Sequence, residues 1–213
     1  MSGKFISFEG IDGSGKSTQL RMLASELRVR GFEVLTTMEP GGTPLGRRLR
    51  AAFLETEENV APLAELLLFA ADRAQHVNFL IKPALAEGKI VISDRYADAT
   101  FAYQGAGRGF SEETVNAVIK LATDGLKPDL TLFFDVPVEK AIMRTNARTD
   151  EETQKNRMDS ETIEFYERVR TAYLGIAERE PERFIVIDGD ASVGEIKAKI
   201  LPIISDFLES GNN

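Results

Sequence analysis

The residues whose types and spacing point most directly to chemistry lie near the amino terminus of this 213-residue chain. The segment from Gly10 to Ser17 reads Gly-Ile-Asp-Gly-Ser-Gly-Lys-Ser and fits the pattern G-x-x-x-x-G-K-[ST]. Glycines let the backbone N–H groups turn inward around phosphate oxygens, and a helix that begins there adds partial positive charge. The pattern predicts that Lys16 reaches the β- and γ-phosphates of a nucleotide and that Ser17 binds Mg²⁺. The predicted nucleotide-contacting residues are Gly10, Ile11, Asp12, Gly13, Ser14, Gly15, Lys16, Ser17 and Thr18.

The alternative is a glycine-rich turn that precedes a helix and binds nothing. The motif, however, lies between a predicted strand and a predicted helix, which is the context that phosphate binding requires. The motif alone does not separate a kinase from a GTPase, a motor or a partitioning ATPase. The guanine-reading sequence Asn-Lys-x-Asp is missing, and the chain is short for a motor.

A second anion site is predicted where the apolar run that begins at Ile90 ends in Ser93-Asp94-Arg95-Tyr96. A carboxylate at the carboxyl end of a strand beside a phosphate-binding loop commonly binds Mg²⁺ or its water, so Asp94 joins Ser17 as a predicted metal ligand. The planar guanidinium of Arg95 suits the phosphate of an acceptor. The alternative is a surface ion pair between Asp94 and Arg95.

Phe69 and Arg73 are four residues apart in a predicted helix and therefore share one face. A ring beside a guanidinium can stack on a base and hydrogen-bond its edge, although Phe69 taken alone favours core packing. His76, the only histidine, is interpreted as structural. Arg144, Arg148 and Arg157 flank a polar stretch and predict a lid over the γ-phosphate, with solvated helix charge as the alternative.

The elements that must position these residues alternate between short apolar runs and longer amphipathic segments, which is typical of a parallel α/β sheet. We predict a P-loop NTPase fold in three layers, with about five parallel strands between helices, as a single domain over residues 1–213 with a lid segment at about 144–158. Strands are predicted at residues 5–8, 32–37, 90–92, 130–134 and 184–187. Helices are predicted at residues 16–30, 62–87 with a break at Pro83, 112–122, 138–146, 160–178 and 193–208. Residues 39–59, 104–110 and 149–156 are expected to be irregular.

The composition limits the possible partners. The absence of cysteine excludes disulfides and thiolate sites and suits a reducing cytoplasm, where we expect the protein to act. A net charge of −8 opposes general attraction to nucleic acid. No apolar run is long enough for a membrane helix, and no secretory signal is evident. We therefore expect small-molecule partners, with no nucleic acid and no membrane.

The chain resembles bacterial thymidylate kinases nearly from end to end. The resemblance rests on several blocks, namely Phe8-Glu9-Gly10 through Thr18, Glu39 through Gly46, Leu68 through Arg73, Asp94-Arg95-Tyr96, Ala102-Tyr103-Gln104-Gly105, and Phe165-Tyr166 through Leu174. It implies ATP-dependent phosphorylation of dTMP to dTDP, with Mg²⁺, by a homodimer. A kinase for another nucleoside monophosphate or for a deoxynucleoside is the alternative, and a P-loop ATPase that acts as a switch is a more distant one.

The resemblance also implies roles for individual residues. Phe69 stacks on thymine and Arg73 bonds its carbonyl edge, whereas Thr100 and Gln104 lie near the base and sugar. Tyr103 packs against the deoxyribose. Arg95 holds the acceptor phosphate, and Asp12 contacts the sugar or organises the phosphate site.

The lid departs most from the family pattern, because Asn156-Arg157-Met158-Asp159 stands where relatives often have Asp-Arg, an aromatic or aliphatic residue, and Glu. Met38 stands where many relatives have arginine, and Thr100 replaces a frequent serine with its hydroxyl retained. Some relatives have a catalytic arginine inside the phosphate-binding loop, and this chain has none. Lid arginines must supply it, and we favour Arg148 or Arg157.

Overall fold

The computed structural model describes residues 3–147 and 157–210, and within them five strands form one parallel sheet. The strands are β1 (Lys4–Glu9), β2 (Val34–Met38), β3 (Ile90–Asp94), β4 (Leu130–Asp135) and β5 (Phe184–Asp188). Their order is β2-β3-β1-β4-β5, which leaves β1 at the centre with Phe8 opposite Asp94 on β3 and Leu132 on β4. Because ligands bind beyond the carboxyl ends of such strands, the loops after β1 and β3 lie at the functional edge.

Helices cover both faces of this sheet. The α-helices are α1 (Lys16–Val29), α2 (Pro44–Leu54), α3 (Pro62–His76), α4 (Lys82–Ala86), α5 (Ala97–Thr100), α6 (Glu112–Thr123), α7 (Val138–Asn146), α8 (Ile163–Arg179) and α9 (Val193–Ser210). Residues Val77–Ile81 and Phe101–Gly107 form π-helical turns, and Arg157–Ser160 form a 3₁₀ turn. The predicted α/β three-layer fold is confirmed.

The core lies in two main layers because the central strands are apolar on both faces. On one face, side chains of α1 and α9 such as Leu23 and Ile200 pack against Ile6 and Ile92. On the other face, Phe133 stacks on Tyr173 of α8 with ring centroids 4.8 Å apart. Among the described residues, no helix is both long and apolar enough to cross a membrane.

Two segments that we expected to be irregular are helical. Within residues 39–59, α2 begins where Thr43 Oγ1 accepts a hydrogen bond from the Gly46 N–H (3.0 Å), with Pro44 as its first residue. Both are ordinary helix-start signals. Residues 104–107 continue a helix despite Gly105 and Gly107, because tertiary packing overrides the low helical propensity of glycine. A Cβ at Gly107 would lie 2.6 Å from the Phe165 ring of α8.

The predicted break at Pro83 lies a few residues too late. The helix changes to a π-helical turn at Val77–Ile81, and Pro83 lies in the first turn of α4. Proline has no N–H to donate to the carbonyl four residues earlier, which is the carbonyl of Phe79 within that turn. The missing bond therefore shows its effect upstream of the proline. Residues 149–156, the third stretch that we expected to be irregular, lie outside the described residues.

Candidate active site

The phosphate-binding loop joins β1 to α1 at the centre of the sheet edge. Gly10, Gly13 and Gly15 all have positive φ, at 142°, 85° and 93°. A Cβ at Gly13 would lie 2.1 Å from the carbonyl oxygen of Ala141 on α7, so that position requires glycine for space as well as for conformation. The loop is thus a closely packed backbone cradle of the kind that surrounds phosphates.

Lys16 is buried at the base of this cradle. Its ammonium group donates to the carbonyl oxygens of Gly10 (2.8 Å) and Ile11 (3.1 Å). Burial, with the nearby charge of Arg95, lowers the pKa of Lys16 to about 8. An anionic phosphate beside this ammonium group would favour its charged form.

Ser17 and Asp94 meet at the opening of α1. The Ser17 hydroxyl donates to Asp94 Oδ2 over 2.8 Å, and Asp94 Oδ1 is buried with no hydrogen-bond partner among the described residues. Within residues 3–147 and 157–210, no three His, Asp or Glu side chains converge on one cation site. Mg²⁺ usually takes one or two protein oxygens and completes its shell with water and phosphate, so this hydroxyl and carboxylate fit it.

Arg95 links the cradle to a second cleft. Its backbone has φ 70°, in the left-handed region that non-glycine residues rarely adopt. Its Nη2 donates to Asp12 Oδ1 over 2.8 Å and to the Gly10 carbonyl over 3.4 Å. The Arg95 guanidinium carbon lies 5.8 Å from the centroid of the Tyr103 ring. Asp12 and Arg95 therefore stand at the boundary between the phosphate-binding loop and the second cleft.

The second cleft encloses about 570 Å³ of empty space, part of which is open to solvent. Every residue that the sequence analysis assigned to the acceptor lines it: Asp12, Phe69, Arg73, Arg95, Thr100, Tyr103 and Gln104. These residues come from four separate segments of the chain. Tertiary folding brings them together in one cleft beside the phosphate-binding loop.

Arg73 is held at the floor of this cleft by three partners. Its Nε donates to Glu39 Oε2 (2.7 Å), Nη1 to Thr100 Oγ1 (2.8 Å) and Nη2 to the Tyr96 carbonyl (3.0 Å). Three of its five N–H donors are thereby used, which leaves two for a ligand. Phe69 lies one helical turn earlier and packs edge-on against Phe53, with ring centroids 4.8 Å apart.

A cluster around Glu65 of α3 lies beside the cleft and is joined to it through Gln104. Its carboxylate accepts from Gln104 Nε2 (2.8 Å), from Arg108 Nε (3.0 Å), and from Arg157 Nη2. Arg157 also donates to the Phe53 carbonyl over 3.3 Å. These contacts lower the pKa of Glu65 against the effect of its burial.

Two of the three arginines that we expected to form a lid, Arg144 and Arg157, contact different parts of the site. Arg144 donates to the carbonyl oxygens of Gly189 (2.9 Å) and Gly13 (3.5 Å), beside the phosphate-binding loop. Arg157, in the 3₁₀ turn, instead donates to Glu65 of α3, beside the second cleft. The lid over the γ-phosphate stays a prediction. Arg148 lies outside the described residues.

Sequence reasoning assigned no role to Arg50, Glu39, Pro40 or Met158, although all four line the cleft. Arg50 donates from Nη1 to the Pro40 carbonyl over 3.1 Å. The start signals of α2 could have placed Arg50 on a helix, but only packing shows which way that helix faces. Glu39 lay in a recognised block and was given no partner, since its bonds to Arg73 and His76 span more than thirty residues of sequence.

A phosphate-binding loop that meets, at Asp12 and Arg95, a cleft containing further arginines defines a P-loop phosphotransferase with an anionic acceptor. The model of the family "Thymidylate kinase" matches residues 8–200. The thymidylate kinase of Geotalea uraniireducens is 46% identical over 98% of this chain and all of the relative, and that of Desulfosudis oleivorans is 47% identical over 92% of this chain and 94% of the relative. The chain belongs to the thymidylate kinase family.

A solved structure shows the same relationship in three dimensions. The crystal structure of thymidylate kinase from Ehrlichia chaffeensis matches with a TM-score of 0.77 at 34% identity, over 96% of this chain and 99% of that one. The five-stranded parallel sheet with its flanking helices is thus the fold of this family, and the predicted resemblance is confirmed.

Proposed function

We propose that this chain transfers the γ-phosphoryl group of ATP to the phosphate of thymidylate, giving ADP and dTDP. The observation that supports this most is that all seven predicted acceptor residues line one cleft, which meets the phosphate-binding loop at Asp12. The reaction brings two polyanions together, and its barrier falls when fixed positive charges offset their repulsion. The acceptor oxygen is already anionic, so transfer requires no general base.

The proposed roles follow from position. Lys16 neutralises the donor phosphates, and Arg95 and Arg50 hold the acceptor phosphate in line with the donor. Arg148 and Arg157 are the proposed lid cations, and the position of Arg157 beside the cleft supports its inclusion. Mg²⁺, held by Ser17 and Asp94, would supply further charge neutralisation on the donor.

Base recognition is assigned to the floor and one wall of the cleft. Phe69 offers its ring face to thymine, and the two unused N–H donors of Arg73 suit a carbonyl on the base edge. Thr100 and Gln104 border the base and sugar, and Tyr103 packs against the deoxyribose, where an added 2′-hydroxyl would be crowded.

The test is a coupled assay of ADP release with dTMP, dUMP, dCMP, dAMP, dGMP and thymidine as separate acceptors. Preferential turnover of dTMP is expected. Preferential turnover of another compound would show that this compound, and not thymidylate, is the acceptor. ADP release that is independent of every acceptor, together with nucleotide-dependent binding of a protein, would instead indicate a switch ATPase.

We further propose that each chain acts as a single catalytic domain within a homodimer in the cytoplasm. Large apolar side chains are exposed on α3 and α6, among them Leu67 at 52% and Leu121 at 83%. Helices with such faces gain free energy when a second copy covers them. Sedimentation equilibrium should give a dimer, and Leu67→Glu should give a monomer, whereas Val29→Glu on the remote helix α1 should not. Cell fractionation tests the compartment.

A further inference from the structure

The backbone of Arg95 is strained at the point where the donor and acceptor regions meet. A φ of 70° brings the Cβ of a non-glycine residue too close to its own carbonyl, and such a conformation persists only where its surroundings hold it. The strain has a geometric consequence, because it turns the side chain back towards Asp12 and the Gly10 carbonyl.

Three hydrogen bonds hold this turn. The Arg95 N–H donates to the Phe8 carbonyl (2.9 Å), and the Ser93 hydroxyl donates to the Arg95 carbonyl (2.7 Å). The next backbone N–H, that of Tyr96, donates to Glu9 Oε1 over 2.7 Å. Both peptide groups around the strained residue are therefore fixed, and one of them is fixed by a side-chain carboxylate.

Glu9 is buried at the end of β1 and does not line the acceptor cleft. Besides Tyr96 N, its carboxylate accepts from the Ser7 hydroxyl (2.9 Å) and, at Oε2, from the Tyr173 hydroxyl of α8 (2.8 Å). The charged groups that face it are Asp98, Arg95 and Lys16. Burial raises the pKa of Glu9 to about 8, and three hydrogen bonds fix the orientation of its carboxyl group.

We propose that Glu9, oriented by Tyr173, is a positioning residue that holds Arg95 in its left-handed conformation and so aims the guanidinium at the acceptor phosphate. This inference rests on the proposed role of Arg95. Glu9 acts through the Tyr96 N–H and does not touch either substrate. Ser93 shares this role, because its hydroxyl donates to the carbonyl of the same Arg95–Tyr96 peptide group.

Substitutions can separate this role from a merely structural one. Glu9→Asp keeps a carboxyl group but withdraws it by one methylene, out of reach of the Tyr96 N–H. Glu9→Gln keeps the length and an acceptor oxygen, so it should rescue much of the loss. Ser93→Ala and Tyr173→Phe are the milder variants. Ser111→Ala removes the N-cap of α6 and serves as a control that lowers stability away from the site.

The experiment measures kcat and the KM of each substrate, together with the melting temperature. The wild-type protein is first assayed with the panel of monophosphates, and the variants are assayed with the acceptor that it uses. We expect Glu9→Asp to raise the acceptor KM and lower kcat by about tenfold each, since Arg95 is then no longer aimed at the acceptor phosphate. Ser93→Ala should change them about threefold, and the KM for ATP should stay within about twofold in both variants.

Two results would overturn the proposal. One is that Glu9→Asp and Ser93→Ala lower the melting temperature, as Ser111→Ala does, without a selective rise in the acceptor KM. The other is an equal rise in the KM of both substrates. If the wild-type protein phosphorylates none of the monophosphates, the proposed function itself is wrong, and so is the proposed role of Arg95.

Discussion

Arg73 Nε lies 2.7 Å from Glu39 Oε2, and each side chain of this ion pair is only 2% exposed. The second oxygen of Glu39 lies 2.8 Å from His76 Nδ1, so one carboxylate fixes two side chains of α3. His76 in turn lies 2.7 Å from the Thr37 hydroxyl on β2. The pair therefore ties α3 to the end of β2 and sets the direction in which Arg73 presents its remaining donors.

Removing Glu39 should be strongly destabilising. Glu39→Ala leaves the buried guanidinium of Arg73 without its carboxylate partner, which costs about 3–5 kcal/mol in the free energy of unfolding. Urea denaturation measures this loss of stability. Glu26→Ala breaks an ion pair with Arg30 whose side chains are 31% and 37% exposed, and should cost below about 1 kcal/mol. Similar losses for both variants would contradict the importance given to the buried pair.

Arg73→Lys should impair thymidylate use more than ATP use. Lysine keeps the charge opposite Glu39 but cannot reproduce the planar fork that serves Glu39, Thr100 and a base edge together. We expect the KM for thymidylate to rise about tenfold or more, with the KM for ATP within about twofold. Arg30→Lys is the matched surface control. Equal effects on both substrates would refute base recognition by Arg73.

Lys16→Ala should lower turnover by about 10²–10³-fold or more while the fold remains intact, because one preorganised charge on the transferred group is lost. Circular dichroism checks the fold, and ADP release checks turnover. Lys127→Ala, with a lysine side chain that is 73% exposed, is the control. Near-normal turnover in Lys16→Ala would contradict the assignment of Lys16 to the transferred phosphate.

ATP affinity should fall as pH rises above about 8. Burial lowers the pKa of Lys16 to about 8 in the free protein, and a bound phosphate raises it again. Above pH 8 the free lysine is mostly neutral, so binding must take up a proton and weakens by at most about tenfold per pH unit. Calorimetry in buffers of different ionisation enthalpy measures this uptake. Lys16→Arg, which stays charged, should show none.

Chelation of Mg²⁺ should abolish turnover. Asp94→Asn should raise the Mg²⁺ concentration for half-maximal activity by about tenfold or more, because the proposed ligand pair of Ser17 and Asp94 loses its carboxylate. A titration of activity against Mg²⁺ at saturating ATP measures the shift. Asp124→Asn, at an exposed site, is the control. An unchanged requirement in Asp94→Asn would exclude Asp94 as a metal ligand.

Elements with strong local patterns were predictable. The strands β1, β3 and β4 are runs of apolar residues, and their positions agree with the prediction to within about two residues. The failures have different causes. The start of α2 was signalled by Thr43 and Pro44 and was overlooked, whereas the helical turn around Gly105 and Gly107 opposes local propensity and exists through its packing against α8.

The sequence by itself determined the family, the phosphate-binding loop and the residue types of the proposed acceptor site, because short motifs encode local backbone geometry directly. Only the tertiary structure decided that Arg50 faces the cleft, that Glu39 orients Arg73, and that Glu9 holds the turn at Arg95. Those relationships join residues far apart in the chain, and nothing in a local pattern specifies which distant carboxylate a buried guanidinium or N–H will meet. Packing of the helices on the sheet makes that choice.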